Sequence, residues 1–233
     1  MNCLIYRLDK ERSFLEGRSF CPNCKKILKW QDLIPILSFL FLKGKCRHCK
    51  EKISWQYPLV EISAGVIFLL IFNYQSSIIN LIFLFYIASS LIIIFTYDLR
   101  YYIIPDKVVI PAIITTLIYH LTDQPLLFNF LGAAAMASGF FFLIFVVSRG
   151  QWMGFGDVKL AFLMGLLLGI SNVLLALFSA FFFGAVAGLL LMVLRNKSLK
   201  SEIPFAPFLI AGTFVALLWG QQIVQWYLNF FQI

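Results

Sequence analysis

Long apolar runs recur along most of the chain, at intervals too close for a soluble fold. Stretches near 58–73, 77–97, 103–121, 126–148, 157–170, 172–194 and 204–230 each read as a helix with few or no charges. A bilayer core needs about 20 helical residues, with about 17–25 workable. The pattern therefore predicts about seven transmembrane helices, of which the first, third and fifth are short enough to require tilt or local thinning. The runs are continuous rather than alternating, which excludes the strands of a membrane barrel. Residues 33–42 (LIPILSFLFL) are too short to cross. Pro35 and the flanking charges make them an interfacial or partly buried helix. No internal repeat and no low-complexity tract is evident. The expected fold is an all-α polytopic membrane protein, with a basic segment over 1–57 and a membrane domain over 58–233.

Composition sharpens this picture. The 233 residues are 61% hydrophobic with a mean hydropathy of +0.88, against roughly 45–50% apolar residues in soluble domains. Twelve of the 19 Lys and Arg lie in residues 1–55. Placing 1–57 in the cytoplasm and threading seven spans puts Arg100, Lys107, Arg149, Lys159, Arg195, Lys197 and Lys200 on that same side. The opposite loops, near 73–77, 121–125 and 169–172, carry no Lys or Arg, as the positive-inside rule requires. The net charge of +8 is then a juxtamembrane feature facing anionic lipid rather than a nucleic-acid surface. No signal-peptide pattern is visible at the N-terminus.

Four cysteines form Cys21-Pro-Asn-Cys24 and Cys46-Arg-His-Cys49. Two such turns joined by a loop supply four soft ligands to one tetrahedral ion, so a structural Zn²⁺ site is expected. Disulfides do not suit a reducing cytoplasm, and Lys25, Lys26, Lys45 and Arg47 would favour thiolates. His48 is expected to be a solvated side chain, and Cys3 a packing residue.

Acids are costly near lipid and are retained there for a function or a partner. Glu61 lies just inside the first span and is read as structural; Asp123 and Glu202 fall in loops. Asp98 ends one apolar helix in Thr96-Tyr97-Asp98-Leu99-Arg100, and Asp157 opens another in Gly154-Phe155-Gly156-Asp157-Val158-Lys159. The threading brings both to the cytoplasmic boundary. Each could be an interfacial anchor paired with its near base, Arg100 or Lys159. Together they fit a dyad that shares a proton, activates water and protonates a leaving amine. The helix dipole suits Asp157 to the base role and Asp98 to the acid role. Gly154 and Gly156 would let the backbone approach a substrate strand. Asp106, after Pro105, starts or caps the third helix.

The cysteine loop, Asp32-Leu-Ile-Pro35, Tyr57-Pro-Leu-Val-Glu61, Asp98…Pro105-Asp106 and Gly154-Phe-Gly-Asp157 resemble the bacterial type IV prepilin peptidases over nearly the whole chain. The GxGD element alone is shared with presenilin-like and preflagellin peptidases; the cysteine loop narrows the resemblance. It implies an inner-membrane aspartic endopeptidase with Asp98 and Asp157 as catalytic residues. Gly154, Gly156, Asp106 and Lys159 would support the catalytic loop. The implied substrates are type IV prepilins or type II secretion pseudopilins, cut after a glycine on the cytoplasmic face. Many members also methylate the new N-terminus with S-adenosylmethionine. No glycine-rich nucleotide loop is present, so that expectation rests on resemblance alone. Family members usually begin with a further transmembrane helix ending in a motif like Asn-Val-Val-Ile-Tyr-Arg-Leu, and Met1–Leu8 carries the end of that motif. Two other classes fit less well. A non-catalytic zinc-loop assembly factor would not need an intact GxGD, and a transporter would place acids near the midplane and show repeats.

Overall fold

The computed structural model describes residues 2–9, 19–74, 77–121, 124–195 and 204–230. These are helical apart from turns and two isolated bridges. Asp123, Lys197, Lys200 and Glu202 lie outside the described residues, as does the side chain of Cys3. The chain forms two compact units, Met1–Ile93 and Ile94–Ile233.

The first unit holds α1 (Asn2–Asp9), a 3-10 turn at Trp30–Leu33, α2 (Leu37–Phe41), α3 (Gln56–Tyr74) and most of α4 (Ile78–Tyr101). Stretch 33–42 is thus only a short helix with a tighter turn ahead of it. Ile36, at φ 61°, is the cap of α2, and its N–H donates to the Glu61 carboxylate at 2.9 Å. Glu61 therefore fastens α2 to the second turn of α3, in keeping with its structural reading. On Asp32 converge the Arg47 guanidinium at 2.8 Å and the Lys29 N–H at 3.2 Å.

An internal repeat does exist, contrary to the sequence reading. Residues 19–28 and 44–53 have the same backbone. Lys25 and Lys50 donate to the carbonyls of Cys21 and Cys46, and those cysteines' N–H groups donate to Lys26 and Glu51. Bridges Phe20–Ile27 and Lys45–Lys52 close the two knuckles, and Lys25 and Lys50 share a left-handed φ of 56° and 60°. Only CPNCK and CRHCK align between the halves, too little for a sequence repeat to stand out.

The second unit contains the end of α4, α5 (Asp106–Leu121), α6 (Gln124–Val147), α7 (Phe155–Arg195) and α8 (Ala206–Phe230). Tyr102, at φ 58°, closes α4 with its N–H on the Asp98 carbonyl, a left-handed helix stop. The predicted runs 157–170 and 172–194 share α7, whose 41 residues contain a non-helical Gly169 at φ 71°, ψ 176°. The contacts on either side show what that residue does. Before it, α7 runs antiparallel to α6: Phe155 meets Phe145, Gly165 meets Ala134 and Ile170 N–H reaches Asn129. After it, α7 runs parallel to α6, with Gly132 near Ile170 and Phe141 stacked with Phe181. The chain reverses at Gly169, a conformation that a side chain would strain, and α6 lies along both arms.

Small residues let these helices close up, as they do in lipid. A Cβ on Gly165 would overlap the backbone of Ala134, and one on Gly212 the carbonyl of Ala176. His120, buried at the end of α5, stacks on Phe130 of α6 at 3.8 Å. Five helices, α3, α4, α6, α7 and α8, are long and apolar enough to cross a membrane. At 16 residues with Pro111 inside, α5 is shorter.

Candidate active site and cysteine cluster

Helix ends in the second unit bring the aspartates together. Asp98 lies in the last turn of α4 and is buried. Asp157 is the third residue of α7, half-buried. Its carboxylate is held by the backbone of Gly154, and its own N–H donates to the Gly154 carbonyl at 3.2 Å. The side chain is thereby folded back over the helix start, as the carboxylate half of a capping box would be, while the N–H to carbonyl bond is a backbone turn. The two carboxyls lie close enough for the charge of Asp98 to act on Asp157. Fifty-nine residues of sequence separate them.

The bases near in sequence are engaged elsewhere. Lys159 donates to Asp106 at 2.6 Å, and Arg100 lies over the ring of Tyr101 at 5.3 Å. Among the described residues, neither Asp98 nor Asp157 makes an ion pair. The alternative of two independent interfacial anchors thus loses the pairing it requires. Asp106 does open α5, but its carboxylate also ties that helix to the first turn of α7.

The two glycines differ. A Cβ on Gly154 would touch only the Gly156 backbone nitrogen, at an ordinary 3.9 Å. A Cβ on Gly156 would meet the Ile104 side chain at 3.0 Å. The sequence reading gave that surface to substrate, whereas the chain's own Ile104, two residues before Asp106, fills it. Ile104 was missed because a buried isoleucine inside an apolar chain carries no signal of its own.

In the first unit the sulfurs of Cys21, Cys24, Cys46 and Cys49 all lie within 4.8 Å of one another, and those of Cys21 and Cys49 are 3.9 Å apart. A tetrahedral ion bonded to sulfur at about 2.3 Å sets sulfurs about 3.8 Å apart, so the cluster fits one soft cation. Backbone N–H groups of Cys49 and His48 lower the Cys46 thiol to about 7. The Glu51 backbone favours the Cys49 thiolate, but desolvation and its three neighbouring thiols push it up to about 11. A bound cation would offset that rise at Cys49, because a metal ligand must be a thiolate. His48 is exposed and stands outside the cluster.

Two family models match: the bacterial peptidase A24 N-terminal domain over residues 1–74 and the type IV leader peptidase family over 84–189. The first spans the cysteine cluster, the second both aspartates. A prepilin leader peptidase/N-methyltransferase of Bacillus subtilis (strain 168) is 32% identical over 225 residues, covering 96% of this chain and 90% of the relative. The protein of the same name from Pseudomonas aeruginosa is 33% identical over 224 residues, covering 91% and 75%. That of Stutzerimonas stutzeri is 31% identical over 264 residues, covering 99% and 89%. No solved structure matches. The chain belongs to the type IV leader peptidase family, among relatives named prepilin leader peptidase/N-methyltransferase.

Proposed function

We propose that Asp98 and Asp157 are the dyad of an aspartic endopeptidase that removes the basic leader of type IV prepilins or pseudopilins. The observation that carries this reading is the convergence of the two carboxyls without a basic partner among the described residues. Two such groups hold one proton between them. The ionised member takes a proton from water as the water oxygen bonds to the scissile carbonyl carbon. The protonated member delivers its proton to the leaving nitrogen as the C–N bond breaks, which regenerates a pair with one proton. Lys159 and Asp106 set the start of α7 against the start of α5.

The site lies at the cytoplasmic face of the bacterial inner membrane in this reading, with the N-terminal segment on the same side. Supporting it are the one-sided basic residues and the reversal of α7 at Gly169, which lets α3 to α8 supply seven crossings. Prepilins and membrane lipid are the partners, and nucleic acid is not. The cysteine cluster holds a structural Zn²⁺ through Cys21, Cys24, Cys46 and Cys49; the ion would supply cross-linking and no step of cleavage. N-methylation from S-adenosylmethionine is the second activity in the relatives' name. Neither sequence nor structure offers a nucleotide cradle for it among the described residues, so no residue is assigned to it.

The test is incubation of the purified protein with a prepilin, wild type beside Asp157→Ala. Cleavage by the wild type alone is expected; cleavage by both would end the dyad reading. Labelled S-adenosylmethionine in the same assay tests methylation separately.

A further inference from the structure

The first unit carries an apolar surface that the peptidase reading does not use. In the loop between the two knuckles Trp30 is 72% exposed, Leu40 63% and Phe41 84%, and Trp55, just ahead of α3, is 70% exposed. Leu33 and Leu37 are exposed between them. Water around so many large apolar side chains on one short segment is unfavourable, and such patches mark an interaction surface.

Two contacts fix where this surface sits. The Ile36 N–H, at the start of α2, bonds the Glu61 carboxylate, and Phe39 packs on the Trp55 ring with centroids 5.0 Å apart. Glu61 is five residues into α3, roughly 7–8 Å along its axis, and α3 is apolar enough to span a membrane. Beyond that level α3 presents Ile62, Val66, Leu69 and Phe72 outward, the lipid-facing stripe of a spanning helix. The exposed residues of 30–41 thus stand beside the entry of α3 into the bilayer. Exposed Lys25, Lys26 and Lys29 precede the segment, and Lys43 and Lys45 follow it. Basic flanks around an apolar, tryptophan-bearing centre are what an anionic leaflet recognises.

We propose that Trp30–Phe41, together with Trp55, is inserted into the interfacial layer of the anionic leaflet and holds the four-cysteine knuckles against the membrane surface. The occupant of this surface is lipid, and the insertion is shallow because α2 has only five residues. The inference rests on the membrane reading of α3 and not on cleavage activity, so it can fail while the dyad stands, or the reverse.

The test uses the full chain in nanodiscs of phosphatidylethanolamine and phosphatidylglycerol, with no substrate. A photoactivated carbene carried on a lipid chain is expected to label peptides within 30–41. Labelling should fall severalfold when phosphatidylcholine replaces both lipids. In a Trp152→Phe, Trp219→Phe, Trp226→Phe background, lipids brominated near the headgroup should quench most of the remaining tryptophan emission, and Phe41→Ser should reduce that quenching. Unlabelled 30–41 peptides in the unsubstituted protein would overturn the proposal. So would water-exposed emission that shifts only when a prepilin is added, which would assign the surface to a protein partner.

Discussion

The four cysteines and the two aspartates are both sets of acidic groups gathered from distant parts of the sequence, yet different forces gather them. Each cysteine pair is formed within ten residues, by a left-handed lysine and three backbone hydrogen bonds. In the proposed reading a cation is what would let its thiolates coexist. The aspartates have no such local template. Asp98 and Asp157 sit at helix ends, and Asp157 is held where the packing of α7 on α5 and α6 puts it. A Gly165–Ala134 contact more than two turns from Asp157 matters to it. One site is built by short turns, with an ion in the proposed reading, the other by helix packing, and perturbations should separate them.

The largest separation is expected at the dyad itself. Asp98→Asn or Asp157→Asn keeps the side-chain volume but removes the shared proton. Cleavage of a prepilin should fall by roughly 10²- to 10⁴-fold, the usual worth of a positioned acid or base. Helix content and bound metal should not change, as circular dichroism and elemental analysis would register. An Asn variant that cleaves at the wild-type rate would remove that aspartate from the chemistry.

Packing comes next. Gly165→Val inserts a branched side chain where even a Cβ meets the backbone of Ala134. Overpacking of this kind costs about 1–3 kcal/mol or more. The thermal midpoint and the cleavage rate should drop together while metal content stays constant. Unchanged stability and rate would mean that α6 and α7 can separate without disturbing the aspartates, so that helix packing does not position the dyad.

Metal removal approaches from the other side. A chelator, or Cys21→Ser with Cys46→Ser, should open residues 19–53 to limited proteolysis. Cleavage by the dyad should lose less than tenfold, because the cation supplies no step of it. A loss as deep as that of Asp157→Asn would show the two sites to be one.

How much of this was legible in the sequence follows the same division. The cysteine cluster was readable because its geometry is written into two short spacings. The apolar runs were readable as helices because lipid demands unbroken apolar stretches, although two of the seven share α7 and the run at α5 is short. The aspartates were readable as candidates because acids are scarce in such runs. Their partners were not. Nothing local tells that Lys159 turns to Asp106 instead of Asp157, that Ile104 covers Gly156, or that Glu61 caps Ile36. Each is a contact across more than 20 residues, fixed only once the helices have packed. The repeated knuckle escaped for a different reason: its likeness lies in backbone hydrogen bonds, which three shared residues, two Cys and a Lys, barely encode.

The smallest effect is expected at the Asp106–Lys159 pair, and it tests where the active site ends. The carboxylate of Asp106 is about half-exposed and Lys159 a quarter so. Water and salt screen such pairs to about 0.2–1 kcal/mol, so Asp106→Asn or Lys159→Gln should slow cleavage by no more than about fivefold. The double variant should be little worse than either single one, since the second substitution removes nothing further. Asp106→Lys combined with Lys159→Asp should recover part of the rate, and raised ionic strength should erase the difference between wild type and variants. A different pattern would be more informative. If Asp106→Asn costs as much as Asp98→Asn and no charge exchange restores it, Asp106 acts on the reacting groups themselves. The ion pair with Lys159 would then be the resting partner of a third catalytic acid, rather than the brace that holds two helix starts in register.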